Sequence, residues 1–580
     1  MPLRRILRHA PWPIRRRVLR VVQRELLPRV APERRLQVAR SWVPLEPAPV
    51  RGNPVRDDTA SPASVRRRNV DRVVTALDAA GVDWFRVPAK SFTHTAVAVA
   101  QSDRARVVPL LEQITAADGG LLETVAPGGA VLRVSRPVTD TGGHLVLGAD
   151  FGCEVEFWTE RDGHLIGPRS NPVADVVPVD EPVTYAPEPV LSEFCSPHET
   201  AEYRTRQVFT MAAPDRVNFP IDVVYTWVDG SDPAWLDRKA QALGDNAWVT
   251  GVNAQTANHS RFASRDELRY SMRALHCFAP WVRRIFLVTD NQVPAWLDTD
   301  HPHVTVVSHR EVFGDTGRLP TFNSQAIESR LHRIPGLGEH FLYLNDDVIL
   351  GRPVAPTMFF TPGGLTRFFP SSALVDSAPR TPDDAPVNSA GKNNRRLIQE
   401  AFGRVLTRKM MHTPHPSRRS VIAEIEQRFA EHVEATAAHQ FRHPDDISLL
   451  SSLQQYYAYL TGRAAPGQIR YMYTDLADGR TPFRLARLLR HRNLDAFCLN
   501  DTDSDPAVAA EQEALLAEFL PAYLPFRAPF ELQRPRARTA AIAVPHIPVT
   551  RGAPAVADRV PTQGERPAAR PSFKENTLES

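Results

Sequence analysis

Three short apolar runs, each closed by a carboxylate, constrain this chain more than any other feature. Ile221-Asp-Val-Val-Tyr-Thr-Trp-Val228 ends in Asp229-Gly230, Arg284-Ile-Phe-Leu-Val-Thr289 in Asp290-Asn291, and Phe341-Leu-Tyr-Leu344 in Asn345-Asp346-Asp347. Continuous β-branched or aromatic runs bounded by polar breaks read as strands buried on both faces, the habit of parallel sheets. Helical periodicity lies between them. Ser264-Arg-Asp-Glu267 has capping-box spacing ahead of Leu268, Met272 and Leu275, and Ser324 opens a second apolar stripe through Ile327, Leu331 and Ile334. Alternating strands and helices predict an α/β fold with a doubly wound, mostly parallel sheet. In such sheets ligands bind beyond the carboxyl ends of the strands, where all three runs place acids. One such Asp is most often a turn former or helix cap. Three together point to a divalent cation, and Mg²⁺ (or Mn²⁺) usually arrives with phosphate oxygens. The pattern favours a nucleotide or phosphate-sugar enzyme.

The remainder of the 580 residues divides by composition. Residues 1–67 read as a basic, partly disordered segment: the first forty carry twelve Arg against Glu25 and Glu33, a balance of +10. Ile6, Leu19, Val22 and Leu26 among them fit a basic amphipathic helix on an anionic membrane surface, with a solvated tail as the alternative. Residues 68–190 read as a small α+β accessory domain, helical over 70–80, with strands over 95–100, 130–134, 144–148 and 153–158. Residues 172–200 hold many prolines and few periodic positions, and the linker is placed at 191–217, with 218–530 as the catalytic domain and 531–580 as a disordered Pro/Arg-rich tail.

The net charge of +4 names no partner, and the basic stretches lack interleaved aromatics, so nucleic acid is not expected. Cys153, Cys195, Cys277 and Cys498 form no CxxC pair and read as reduced, buried thiols. No apolar run approaches the roughly 20 residues of a spanning helix, and the N-terminus is a poor secretory signal. The expected location is cytoplasmic, at the inner face of the plasma membrane if residues 1–40 meet lipid.

Two downstream motifs carry further chemistry. Met411-His-Thr-Pro-His-Pro416 holds two histidines in a proline-fixed loop, where His415 suits proton transfer or phosphate contact as well as a structural role. His439-Gln-Phe-Arg442-His-Pro444-Asp-Asp446 sets Arg442 just before a helix start, free to fork onto a phosphate or to pair with the neighbouring aspartates.

These residues resemble a known family. Asp222-Val-Val-Tyr-Thr-Trp-Val-Asp-Gly-Ser-Asp-Pro233 is similar to the opening block of the Stealth proteins, and Arg265-Asp-Glu-Leu-Arg-Tyr-Ser-Met-Arg273 through Ile285-Phe-Leu-Val-Thr289 to their second. Leu319-Pro-Thr-Phe-Asn-Ser324, Ala326-Ile-Glu328 and Tyr343-Leu-Asn-Asp-Asp-Val348 match that block's later half. His412–Pro416 with Phe441-Arg442 resembles the third block, and Phe497-Cys-Leu-Asn-Asp501 with Pro529-Phe-Glu531 the closing one.

The resemblance implies a Rossmann-like, GT-A-like core and a phosphotransferase activity. Such an enzyme moves hexose-1-phosphate from a nucleotide sugar to a hydroxyl of a polysaccharide or oligosaccharide acceptor. It releases nucleoside monophosphate and leaves a phosphodiester, as in capsule and exopolysaccharide biosynthesis. The family also includes the N-acetylglucosamine phosphotransferase that marks lysosomal enzymes. This chain lacks that enzyme's receptor and regulatory insertions, which favours a bacterial polysaccharide role. By resemblance Asp346 and Asp347 would hold the metal and pyrophosphate, with Asp229, Glu328 and Asn323 nearby on the substrate. His415 would be the base, a phosphohistidine being the less favoured alternative, and Arg442 would stabilise the transferring phosphoryl group. Arg265 and Arg269 are candidates for donor phosphates, or else a solvated helix face. The enzymatic alternative is a metal-dependent GT-A-like glycosyltransferase that releases nucleoside diphosphate; the non-enzymatic one is a glycan-binding protein that has lost turnover.

Overall fold

A computed structural model describes residues 12–43, 52–245, 262, 264–381, 383–501 and 508–536. Most of the expected C-terminal tail, and residues 1–11 of the basic segment, lie outside the described residues.

A five-stranded sheet occupies the centre of the second half. Its strands are β1 (Ile221–Thr226), β2 (Val282–Thr289), β3 (Val304–Ser308), β4 (His340–Asn345) and, further along the chain, the edge strand His415–Arg418. The order across the sheet is β3-β2-β1-β4 and then that edge strand; the first four are parallel and the last is antiparallel to β4. Period-two alternation divides the apolar runs between two cores. Val223, Tyr225, Leu287, Leu342 and Leu344 face one, with the helices α1 (Glu267–Phe278) and Ala509–Tyr523. Val224, Phe286, Val288, Phe341 and Tyr343 face the other, with Val421, Ile425, Leu450 and Tyr457. Apolar cover on both faces is why these runs carry so few polar residues.

The helix starts differ from expectation. The Ser264–Glu267 capping box does not form: α1 begins at Glu267 after Asp266 at φ 66°, and the Glu267 carboxylate accepts from the Arg265 amide instead. The second stripe gives only α2 (Ser324–Glu328), capped by Asn323 rather than Ser324, followed by a 3₁₀ turn over Leu331–Arg333. The 411–416 stretch is a loop only as far as Pro414, because His415 opens the antiparallel edge strand. Proline at 416 is tolerated there since an edge strand leaves one side of its ladder unpaired.

The N-terminal half is a nine-stranded mixed sheet against which the helices Pro62–Ala79 and Arg104–Asp118 pack. The expected boundary after residue 67 falls inside the first of these helices, whose start is fixed by a reciprocal Ser61–Ser64 capping box and Pro62. The expected linker 191–217 is corrected too. Glu202–Arg206 is a strand, antiparallel to Val183–Pro187 and parallel to Trp84–Val87. Prolines misled the reading because Pro178 and Pro187 close two terminal strands of this sheet, where a missing N–H costs little. One apolar cluster joins Leu36, Val65 and Phe194 to Ile221 and Leu275, so the helix Pro62–Ala79 reaches the core of the five-stranded sheet, while the strands of the nine-stranded sheet bury their apolar side chains in separate clusters. The tail also begins later than 531: Glu531 is buried, and Leu532 and Arg536 donate backbone hydrogen bonds to Trp296 and Ala295. All four cysteines are free and buried.

His309, the first residue after β3, is 2% exposed, and neither ring nitrogen has a hydrogen-bond partner among the described residues. Burial pushes its pKa down to about 4. The unfolded chain therefore binds a proton that the folded chain refuses between roughly pH 6.5 and 4, and stability falls as pH drops through that window. Replacing His309 with Gln is expected to flatten the dependence by up to about 1.4 kcal/mol per pH unit, read from urea unfolding at several pH values.

Candidate functional site

The carboxyl ends of β1 and β4 gather the chemistry. Beyond β4, a tight turn carries Asp346 and Asp347 into β5 (Val348–Leu350). That strand pairs antiparallel with Ala496–Asn500, setting Val348 opposite Cys498. Asp347 is thereby enclosed by partners distant in sequence. His412 Nε2 lies 3.2 Å from its Oδ1, while Cys498 Sγ and Asn500 Nδ2 donate to Oδ2 at 3.1 and 3.0 Å. Burial alone would raise the Asp347 pKa, but the His412 charge and these hydrogen bonds hold it below the ordinary value. In return His412 is raised: burial works against its charge and Asp347 overcomes it. Asp346 moves the opposite way, pushed well up by burial and by the charges of Asp347 and Glu267. Burial also lifts Glu267 to about 7. Three crowded acids with a single histidine among them suit a divalent cation. The side chains that could hold one, Asp347, His412 and Cys498, put an imidazole and a thiol beside the carboxylate, a set that does not fit Mg²⁺.

A second group adjoins the first through the two histidines, whose ring centroids are 6.5 Å apart. His415 stands opposite Tyr343 in the sheet, and the two rings stack at 6.3 Å. The Tyr343 hydroxyl donates to Glu328 at 3.3 Å and lies 3.2 Å from the Thr226 hydroxyl. Glu328, buried at the end of α2, also accepts from Ser451, and its burial raises its pKa. Arg442 feels the charge of Glu328 and donates to the Ser324 hydroxyl at 2.8 Å. His415 is 5% exposed, its Nε2 has no partner among the described residues, and burial drives its pKa down to about 3. It is a neutral imidazole with an open nitrogen.

The expected residues thus separate. Asp346, Asp347, Glu328, His415 and Arg442 come together. Asn323 does not face a substrate: it is wholly buried and donates to the Asp446 carboxylate at 2.7 Å, so it ties the Arg442 loop to α2. Arg269 is neither a phosphate ligand in waiting nor a solvated face, since it donates to the buried Glu531 at 2.7 Å. Arg273 pairs with the same carboxylate at 2.6 Å and, against the effect of burial, holds it below its usual pKa. Glu531→Gln would strand the buried Arg273 guanidinium together with the half-buried Arg269, and a loss of about 3–5 kcal/mol is expected by urea unfolding. Arg265 lies at the margin of the acids, bound to Asp501 and Gln512 at 2.7 and 2.8 Å. Asp229 sits at the end of the first apolar run, where its side chain accepts from the amide and hydroxyl of Ser231 in a turn. Asp290, marked by its strand alone, pairs with Arg238 at 2.7 Å. His412, Cys498 and Asn500 were not singled out from the sequence, although all three lie in quoted motifs.

The family models "Stealth protein CR1, conserved region 1" through "CR4, conserved region 4" match residues 219–247, 261–368, 411–459 and 486–542 in order. The exopolysaccharide phosphotransferase SCO6023 of Streptomyces coelicolor is 47% identical over 505 residues, covering 83% of this chain and 85% of the relative. Exopolysaccharide phosphotransferase CpsY of Mycobacterium tuberculosis is 37% identical over 431 residues, covering 73% and 77%. Among solved structures, the galactosyltransferase LgtC aligns at a TM-score of 0.27 and 11% identity, covering 51% of this chain and 96% of that one, so the fold description rests on the sheet topology. With four matching regions in order and relatives this similar across most of their length, the chain belongs to the Stealth family of sugar-phosphate transferases.

Proposed function

We propose that the enzyme transfers a hexose-1-phosphate from a nucleotide sugar to a hydroxyl of a glycan acceptor in exopolysaccharide or capsule synthesis. The names of its relatives support the glycan class. The observation that carries the reaction type is the neutral His415, its Nε2 unpartnered among the described residues, its ring stacked on the Tyr343 that bonds Glu328 and one ring contact from the His412 that meets Asp347.

In this reading the acceptor oxygen attacks the sugar-linked phosphorus, its proton passes to His415 Nε2, and the bond to the nucleoside phosphate oxygen breaks. Arg442 offsets charge on the transferring phosphoryl oxygens. Tyr343 fixes the ring plane of His415 by stacking and is itself fixed by Thr226 and Glu328. A divalent cation at Asp347 would supply charge neutralisation for the pyrophosphate. The deciding experiment offers a panel of sugar nucleotides, a divalent cation and an oligosaccharide mix. Monophosphate with a phosphodiester product supports the reading, whereas diphosphate release moves the enzyme to glycosyl transfer.

The exposed row Arg17, Arg20, Val21 and Arg24 supports peripheral contact with an anionic membrane surface. No helix among the described residues is long and apolar enough to cross one. Sedimentation with anionic but not zwitterionic vesicles is expected, and Arg20→Glu with Arg24→Glu should abolish it.

A further inference from the structure

We infer that the Cys498 thiol is a ligand of the divalent cation in this site, and that the site selects a borderline transition metal over Mg²⁺. The inference rests on the reading of Asp347 as a metal-bearing carboxylate.

Strand register delivers the thiol. With Val348 opposite Cys498, and the Leu499 amide donating to the Asp347 carbonyl at 3.1 Å, Cys498 is locked against the β4 turn by backbone. Its Sγ stands 3.1 Å from Asp347 Oδ2, on the other oxygen from His412. One donor atom from each of Asp347, His412 and Cys498 lies within 4.8 Å of the others. Tetrahedral coordination with metal–ligand bonds of about 2.0–2.3 Å spaces its ligands roughly 3.4–3.8 Å apart, so side-chain adjustment alone closes the set. Among the described residues this is the group of histidine, cysteine and carboxylate side chains that approaches such spacing.

The chemistry of the donors then selects the ion. Mg²⁺ takes oxygen ligands in octahedral array and keeps several waters. A thiolate and an imidazole beside one carboxylate suit Zn²⁺ or Co²⁺ better. On binding, the thiol proton leaves to solvent and the sulfur–metal bond forms. His412 gives up the proton it shares with Asp347 and offers the Nε2 lone pair. Asn500, donating to the same carboxylate oxygen at 3.0 Å, holds the carboxylate in place. Cys498 is fully buried, and the three other cysteines are free, so no disulfide competes for it.

The test uses the full chain, stripped by chelator and titrated with Co²⁺ as a spectroscopic probe, with calorimetry in parallel. A thiolate-to-cobalt charge-transfer band should rise with binding. Cys498→Ser should remove the band and weaken Co²⁺ at least about tenfold, about 1.4 kcal/mol, while changing Mg²⁺ affinity little. Asp347→Asn should weaken both ions. If Co²⁺ binds without the band and Cys498→Ser binds it as tightly as the parent, the thiol is not a ligand and the Asp347 reading survives. If calorimetry detects no Co²⁺ binding to the parent chain, both fall. Should the serine variant misfold, the presence or absence of the band in the parent decides the question.

Discussion

Arg442→Ala is expected to lower kcat for phosphoryl transfer by about 10³–10⁵-fold, the range for an arginine that neutralises a transferring phosphate. The physical case starts from what Arg442 lacks. The sequence left open an ion pair with Asp445 or Asp446, and both are engaged elsewhere: Asp445 with Arg380 at 2.6 Å, Asp446 with His439 at 2.7 Å. Arg442 makes no salt bridge among the described residues and donates to one neutral hydroxyl, that of Ser324. Burial lowers its pKa from an ordinary value so high that the cation persists. A desolvated guanidinium with spare donors is poised for a planar anion. Arg442→Lys should recover little, because an ammonium cannot fork onto two phosphate oxygens. The loop that carries it is held independently by Asn323 and Asp446, so the melting temperature should move by only a few degrees while kcat collapses. A variant that melts early yet turns over normally when folded would make Arg442 a structural residue.

What the sequence disclosed about the fold follows from where the signal is local. β1, β2 and β4 were legible because burial on both faces makes each run apolar throughout, and their parallel sense follows from strand–helix alternation. The edge strand His415–Arg418 was not legible. It is four residues long, contains Pro416 and Arg418, and owes its form to the ladder with β4. Glu202–Arg206 was missed for a related reason: only its alternate residues Tyr203 and Thr205 are buried, and its neighbours come from 15 to 119 positions earlier in the chain. Short strands are specified by partners rather than by composition.

The site divides along the same line. Asp346 and Asp347 announce themselves because they close a strand, His415 and Arg442 were marked by their motifs with a structural role left open, and Glu328 entered through the family resemblance. Cys498 and Asn500 reach Asp347 across 151 and 153 positions of sequence, and only the register of β5 makes them its neighbours. The same long-range pairing explains the opposite error. Arg269 looks like a phosphate ligand until Glu531, 262 positions away, folds back onto it, and Asn323 looks available until Asp446 takes its amide. Charge on a helix face is ambiguous until its partner is known.

His415→Ala should reduce kcat by about 10²–10⁴-fold, the span that a positioned general base contributes. Three features assign it that task over a structural one. Its open Nε2 could be satisfied by a hydroxyl that arrives with substrate, and an orphaned buried nitrogen is costly unless something uses it. It is neutral, the form a base requires. The stacked Tyr343 restrains its ring without taking either nitrogen. The low pKa of about 3 comes from burial first and then from the charge on neighbouring His412, so protonating His415 is expensive in the free enzyme. Phosphate charge brought by the donor offsets that cost only when substrate is bound, which confines proton uptake to the reacting complex. The alternative, a covalent phosphohistidine, predicts one equivalent of nucleoside monophosphate released on mixing donor and enzyme without acceptor. A base predicts no such burst and a strict need for the acceptor hydroxyl. Quenched-flow measurement of monophosphate with and without acceptor separates the two, and His415→Asn retaining more than a tenth of the parental kcat would remove His415 from the chemistry altogether.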